Sequence, residues 1–223
     1  MTKDEQNPSG NSSAIDRKGR SIVVLKNEDV AHIEHLPYLE NDADVTLPTE
    51  AQIVDRIFGL MIVAYRGEIR DDDFVQDVIA QLGVPDVLTA KEREYLDNPT
   101  PADHIHGQQV WRWEAINVLL WSLGYVETLL RPEFQSDVRS MVQIIKAHKY
   151  QGLLKSATLR TVAEILDAAD LIYRYHWAVV DARVNASPAP AGLDGSVVYE
   201  RHYALNWLIG SNDEAWDQIS TDT

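Results

Sequence analysis

The chain is 223 residues long, enough for one domain with a core of its own and short for two. Its apolar share of 45% and charged share of 25% are those of an ordinary folded protein, and its formal charge of -15 repels phosphate and anionic lipid, which argues against nucleic acid and membrane surfaces as partners. Cysteine is absent, which excludes disulfides, thiolate metal sites and cysteine nucleophiles and points to a reducing compartment.

The first residues, MTKDEQNPSGNSSAIDRKGR, lack an apolar stretch after a basic start, and no run of about 18 apolar residues follows, so a cytoplasmic protein without a membrane span is expected. Residues 1–16 read as a disordered polar tail and 17–223 as a single helical domain. Between 17 and 47 the pattern is ambiguous. SIVVL is too short to assign to helix or strand, which leaves room for a short strand pair near the N-terminus, and HIEHLPYLENDAD breaks at Pro37.

From Thr49 the signals are helical. Thr49 and Gln52 form a capping box, and Ile53, Ile57, Leu60, Met61 and Ala64 follow at spacings of three and four, giving a helix of roughly 17 residues. DDDFVQDVIAQLG predicts a second helix closed by Gly83, and Thr89 with Glu92 opens a third that ends before Pro99. QQVWRWEAINVLLWSLG becomes apolar on every side and predicts a buried central helix. Residues 136–148 give another amphipathic helix, and the box of Thr161 and Glu164 opens the longest one, to about Val184. NASPAPAGLDG is a surface loop, VVYERHYALNWLIG a last long helix ended by Gly210, and Ser211 to Glu214 cap a short turn around Trp216. The fold class is mainly α: one compact multi-helix domain.

Candidate site residues are the charges inside these apolar helices. On the longest helix Asp167, Asp170, Arg174 and Asp181 share one stripe, while His176 and Arg183 share another. Arg112 and Glu114 lie on the Trp-rich helix, and Glu200, Arg201, His202 and Asn206 on the last. A buried charge needs a partner, so these residues are expected to meet in one polar cluster, with opposite signs coming from neighbouring helices. Such a cluster is either an internal network that fixes helix register or a ligand or catalytic pocket, and the spacing fits both.

His104 and His106 of DHIH read as a surface loop, and His32 and His35 carry no HExxH or paired ExxH pattern, so no metal or cofactor is expected. P-loop, GxGxxG and GxSxG signatures are absent. Trp111, Trp121, Trp177 and Trp207 sit in the most apolar helices, where core packing is their expected role.

Several blocks, taken in order, resemble the bacterial family catalogued as domain of unknown function 4272. They are HIEHLP at 32–37, WRWEAINVLLWSLG at 111–124, ILDAADLIYRYHWAVVDAR at 165–183, VVYERHYALNWLIG at 197–210 and the closing WDQISTDT. The resemblance runs from about Arg17 onward and carries no catalytic residues with it. It places the eleven cluster residues from Arg112 to Asn206, together with Trp216, Asp217, Asp222 and Thr223, inside the family's motif blocks.

The expected function is that of an acidic, cytoplasmic binding or regulatory protein that engages or neutralises a basic protein partner. The alternative is an enzyme or small-ligand receptor using the cluster as its pocket. His176 or His202 would then be acid or base, and Arg174 or Arg201 would grip a carboxylate or phosphate.

Overall fold

Local capping chemistry sets the frame. In the computed structural model, which describes residues 10–210 and 214–223, the helices are α1 (Gly10–Asn27), α2 (Glu50–Ile69), α3 (Asp72–Leu82), α4 (Ala90–Asp97), α5 (Asp103–Val110), α6 (Arg112–Ser122), α7 (Val138–Ser156), α8 (Val162–Val184) and α9 (Gly195–Leu208). Thr49, Thr89 and Thr161 each accept from the backbone N–H three residues on, while Gln52, Glu92 and Glu164 reach back to the cap, so the three predicted boxes open α2, α4 and α8. Asp71, Asp137 and Asp194 cap α3, α7 and α9.

Four helices form the centre in the order α2, α6, α9, α8. Beyond α8 lies α1, and α3, α4, α5 and α7 surround α2. α6 is buried from Trp113 to Ser122, as its all-round apolar sequence requires. α2 is buried on nearly every residue from Ile53 to Gly67. Two glycines there make room for neighbours: a Cβ on Gly67 would lie 2.6 Å from the His106 carbonyl oxygen of α5, and one on Gly59 2.0 Å from Arg56 Nη2.

Three expectations are corrected. SIVVL lies within α1, and among the described residues there is no strand. The buried face of α1 is Ala14, Arg17, Lys18, Ser21, Ile22 and Leu25, a helical period that its polar members conceal, while Val23 is 57% exposed. α1 begins at Gly10, so the end of the expected polar tail is helical; residues 1–9 lie outside the described residues. DHIH is not a loop but the first turn of α5, because His106 is buried against α4, its Nδ1 2.8 Å from the Tyr95 hydroxyl.

Two boundaries also move. The break at Trp111 divides α5 from α6, and α7 runs past residue 148 to Ser156 across a kink at Lys149, whose φ is 53°. At the C-terminus a 3-10 turn spans Trp216–Gln218 after Ala215; the predicted cap residue Ser211 lies outside the described residues.

Candidate functional site

The sequence-predicted residues do not form one cluster. The structure sorts them into three groups along α6, α9 and α8. Between α6 and α9, Glu114 accepts from Arg201 Nε at 3.1 Å, from the Ser136 backbone N–H at 2.5 Å and from Ser136 Oγ at 2.8 Å. Arg201 also donates to the Leu130 carbonyl at 2.5 Å and to Ser136 Oγ at 3.1 Å. A fully buried pair is tolerable only when its remaining lone pairs and protons are engaged, and here they anchor the α6–α7 connection. Beside this pair, two residues earlier on α6 and one earlier on α9, Arg112 Nη1 lies 3.0 Å from Glu200 Oε2. Burial pushes the Glu200 carboxyl up from its ordinary value; Arg112 pulls it back and Glu114 pushes it further up.

The second group faces α1. Arg174 Nε and Nη2 clasp Asp170 at 2.8 and 2.7 Å, and Nη2 also reaches the Pro37 carbonyl at 3.3 Å. The partner predicted on an adjacent helix is therefore one turn away on α8 itself, because four residues of spacing brings the two side chains together. Lys18 donates to the carbonyls of Glu34 at 2.6 Å and Leu36 at 2.7 Å, and burial, then the nearby Arg174 charge, lower its pKa. Asp167 pairs with Arg20 at 2.5 Å. His32 comes within 4.0 Å of Glu34, and His35 is exposed; the value of the HIEHLP block here is its carbonyls.

The third group is a histidine pair across α8 and α9. His176 Nδ1 and His202 Nδ1 are 2.8 Å apart, with Tyr199 edge-on to His176 and Tyr173 tilted over His202. Burial holds His176 down at about 4, helped by the Arg183 charge and partly offset by the Thr221 backbone. Burial, then His176, holds His202 at about 3. At neutral pH neither ring is charged. Asn206 on the same face donates to the Ser220 carbonyl at 2.8 Å, so this group seats the C-terminal segment. Asp181 is bonded by Asn185 and Arg183 is exposed; neither joins an ion pair among the described residues.

Of the pockets that border these groups, two are the roomiest. One of 420 Å³ between α8 and α9 is lined by Trp111, His176, Arg183, Tyr199 and Glu200. The other, of 570 Å³, lies under the α6–α7 connection and includes Asn117, Leu130, Phe134, Met141 and Arg201. Sequence reasoning passed over it; its signal is LLRPEF, where Leu130 and Phe134 are apolar yet sit in no periodic pattern. Among the described residues no group of three or more His, Asp or Glu side chains is arranged to hold a metal ion, and no helix is long and apolar enough to cross a membrane.

The model of a protein family described as Domain of unknown function (DUF4272) matches residues 17–219. Comparison with curated proteins and with solved structures gives no match.

Proposed function

Since the chain belongs to the DUF4272 family, whose description states no activity, we propose a function from its own surface: it is a binding protein that engages a basic protein partner. The observation that supports this reading is a concentration of exposed acids where α2 ends and α3 and α4 pack on it. Arg66 ties that region together, reaching Asp72 at 2.7 Å, the Asn98 carbonyl at 2.7 Å and the Tyr95 carbonyl. Arg66, Arg70 and Arg93 are already engaged by Asp72, Asp103 and Asp86. Glu68, Asp71, Asp73, Asp77, Glu94 and Asp97 stay exposed and outside any ion pair among the described residues. With these three arginines committed, and six exposed carboxylates set against Lys146 and Lys149 of α7 beside Asp77, this end presents net negative potential to a partner. The cysteine-free composition supports a cytoplasmic location for this binding role.

Affinity capture with the full chain tests it. A basic protein retained at low salt, released at about 0.5 M NaCl and lost with the Asp71→Asn, Asp73→Asn, Asp77→Asn variant is the expected result. Retention of the same proteins by that variant would overturn it.

The enzyme or receptor alternative has one observation in its favour, the 420 Å³ pocket that brings His176 and Glu200 to a shared wall. Arg174 and Arg201, its candidate anion grips, are 2% and 4% exposed and committed to Asp170 and Glu114, so the reading contracts to His176 and Glu200. A metabolite that raises the melting temperature of the parent chain but not of Glu200→Gln is the result that this reading requires.

A further inference from the structure

We propose that the 570 Å³ pocket beneath the α6–α7 connection binds a small neutral molecule with an apolar body and one primary amide or lactam edge. The volume falls in the range of pockets that enclose metabolite-sized ligands. Polar side chains share its lining, but most of the wall surface is apolar, with Val126, Leu130, Phe134, Met141 and Ile144 as its apolar members. Leu130 and Phe134 are 74% and 78% exposed, so folding alone gives no reason for two large apolar side chains there.

Asn117 of α6 supplies the polar contact. It is 9% exposed, lines the pocket, and its side-chain amide has no hydrogen-bond partner among the described residues. Its amide oxygen and nitrogen keep access to the pocket space instead of being sealed without a partner, and no protein contact calls for an amide there in place of leucine. Its C=O accepts and its NH₂ donates side by side. The complementary edge is a cis amide, which offers a donor and an acceptor at the same spacing.

Charge decides between an amide and a carboxylate. Arg201 lines the pocket, but it already serves Glu114, Ser136 and the Leu130 carbonyl, and Arg131 is held by Glu28 and Glu133. The carboxylates of Glu133 and Asp137 also line it. An anionic head would meet no uncommitted cation, whereas a neutral amide avoids that cost.

Calorimetric titration of the full chain with 2-quinolone, N-methyl-2-quinolone and 2-naphthoate tests the assignment. 2-Quinolone is expected to bind near about 1 mM, as a fragment of its size can. The N-methyl derivative and the naphthoate should bind at least about tenfold more weakly, the loss of one or two hydrogen bonds. In ¹⁵N spectra the Asn117 side-chain resonances should move with 2-quinolone and stay in place with its N-methyl derivative. Asn117→Leu should remove the tenfold preference while its melting temperature holds or rises, and Phe134→Ala should weaken binding without unfolding. The inference is overturned by absence of 2-quinolone binding, by equal binding of the N-methyl compound or of Asn117→Leu, or by an Asn117→Leu chain that fails to fold while Phe134→Ala binds as the parent does.

Discussion

Arg174 carries a full charge at 2% exposure, and Asp170 answers it from one turn away on the same helix. Removing either partner leaves the other charged in a dry site, so Asp170→Asn or Arg174→Met is expected to cost about 3–5 kcal/mol, while Asp170→Leu with Arg174→Met recovers most of that because two desolvation costs vanish together. Urea midpoints of the three chains check it; a double variant as unstable as the singles would sink the argument. The histidine pair makes a pH prediction. Unfolded, both rings take protons near 6.5; folded, His176 does so only near about 4 and His202 near about 3. Between these values the unfolded chain binds more protons, so stability is full above about pH 7 and falls as pH drops through the window. His176 alone contributes about 2–3 kcal/mol of that loss by pH 4.5. Glu200, raised by burial, slopes the opposite way, so the informative quantity is a difference. The His176→Phe, His202→Phe chain, which keeps two rings where the originals meet at 5.0 Å, should lose melting temperature less steeply from pH 7 to 4.5 than the parent. Equal slopes would remove the pair as the cause.

Elements defined by chemistry within four residues were legible in the sequence. The Thr49, Thr89 and Thr161 boxes, the long run to Val184 and the all-round burial of α6 follow from local caps and periodicity. α1 was not legible, because Arg17, Lys18 and Ser21 occupy half its buried face, and the two cations are held there by groups far along the chain, the carbonyls of Glu40 for Arg17 and of Glu34 and Leu36 for Lys18. α5 was hidden for a related reason: His106 is held by Tyr95 of α4, which no spacing rule connects to it. Of the candidate site, the α6–α9 pairings follow from opposite charges on apolar helices, but the division into three groups depends on which carbonyls of the connecting segments come near. Packing between α2 and α5 yields the prediction at this scale. Since the atom nearest to a Cβ on Gly67 is backbone, at 2.6 Å, no rotamer change relieves it, and Gly67→Ala must push α5 away. Overpacking of this kind costs about 1–3 kcal/mol, more than the gain in helix propensity from Gly to Ala. Chemical denaturation should show a net loss; an unchanged or raised midpoint would mean that α5 is not fixed against α2.

Across the whole molecule, the segment after residue 213 joins parts that the central row of helices leaves apart. Trp216 meets Tyr203 at 5.1 Å and Trp207 at 5.4 Å edge to face, both on α9, and lies under Arg56 of α2 at 5.3 Å. Its carbonyl accepts from the Tyr203 hydroxyl, Asp217 receives the Lys91 backbone and ammonium groups at the start of α4, and Ser220 receives Asn206. Arg56 in turn holds Glu92, the residue that completes the α4 capping box. One aromatic side chain thus supports α2, α4 and α9 together. Trp216→Ala should therefore cost about 3–5 kcal/mol, the range for truncating a buried aromatic. Its effect on amide exchange distinguishes a keystone from a local patch. If the coupling is as drawn, protection falls in α4 and at the end of α9 as well as in 214–223, since losing the Trp216 ring releases Arg56 and with it the grip on Glu92. Faster exchange confined to 214–223 would show that the segment rests on the helices without bracing them.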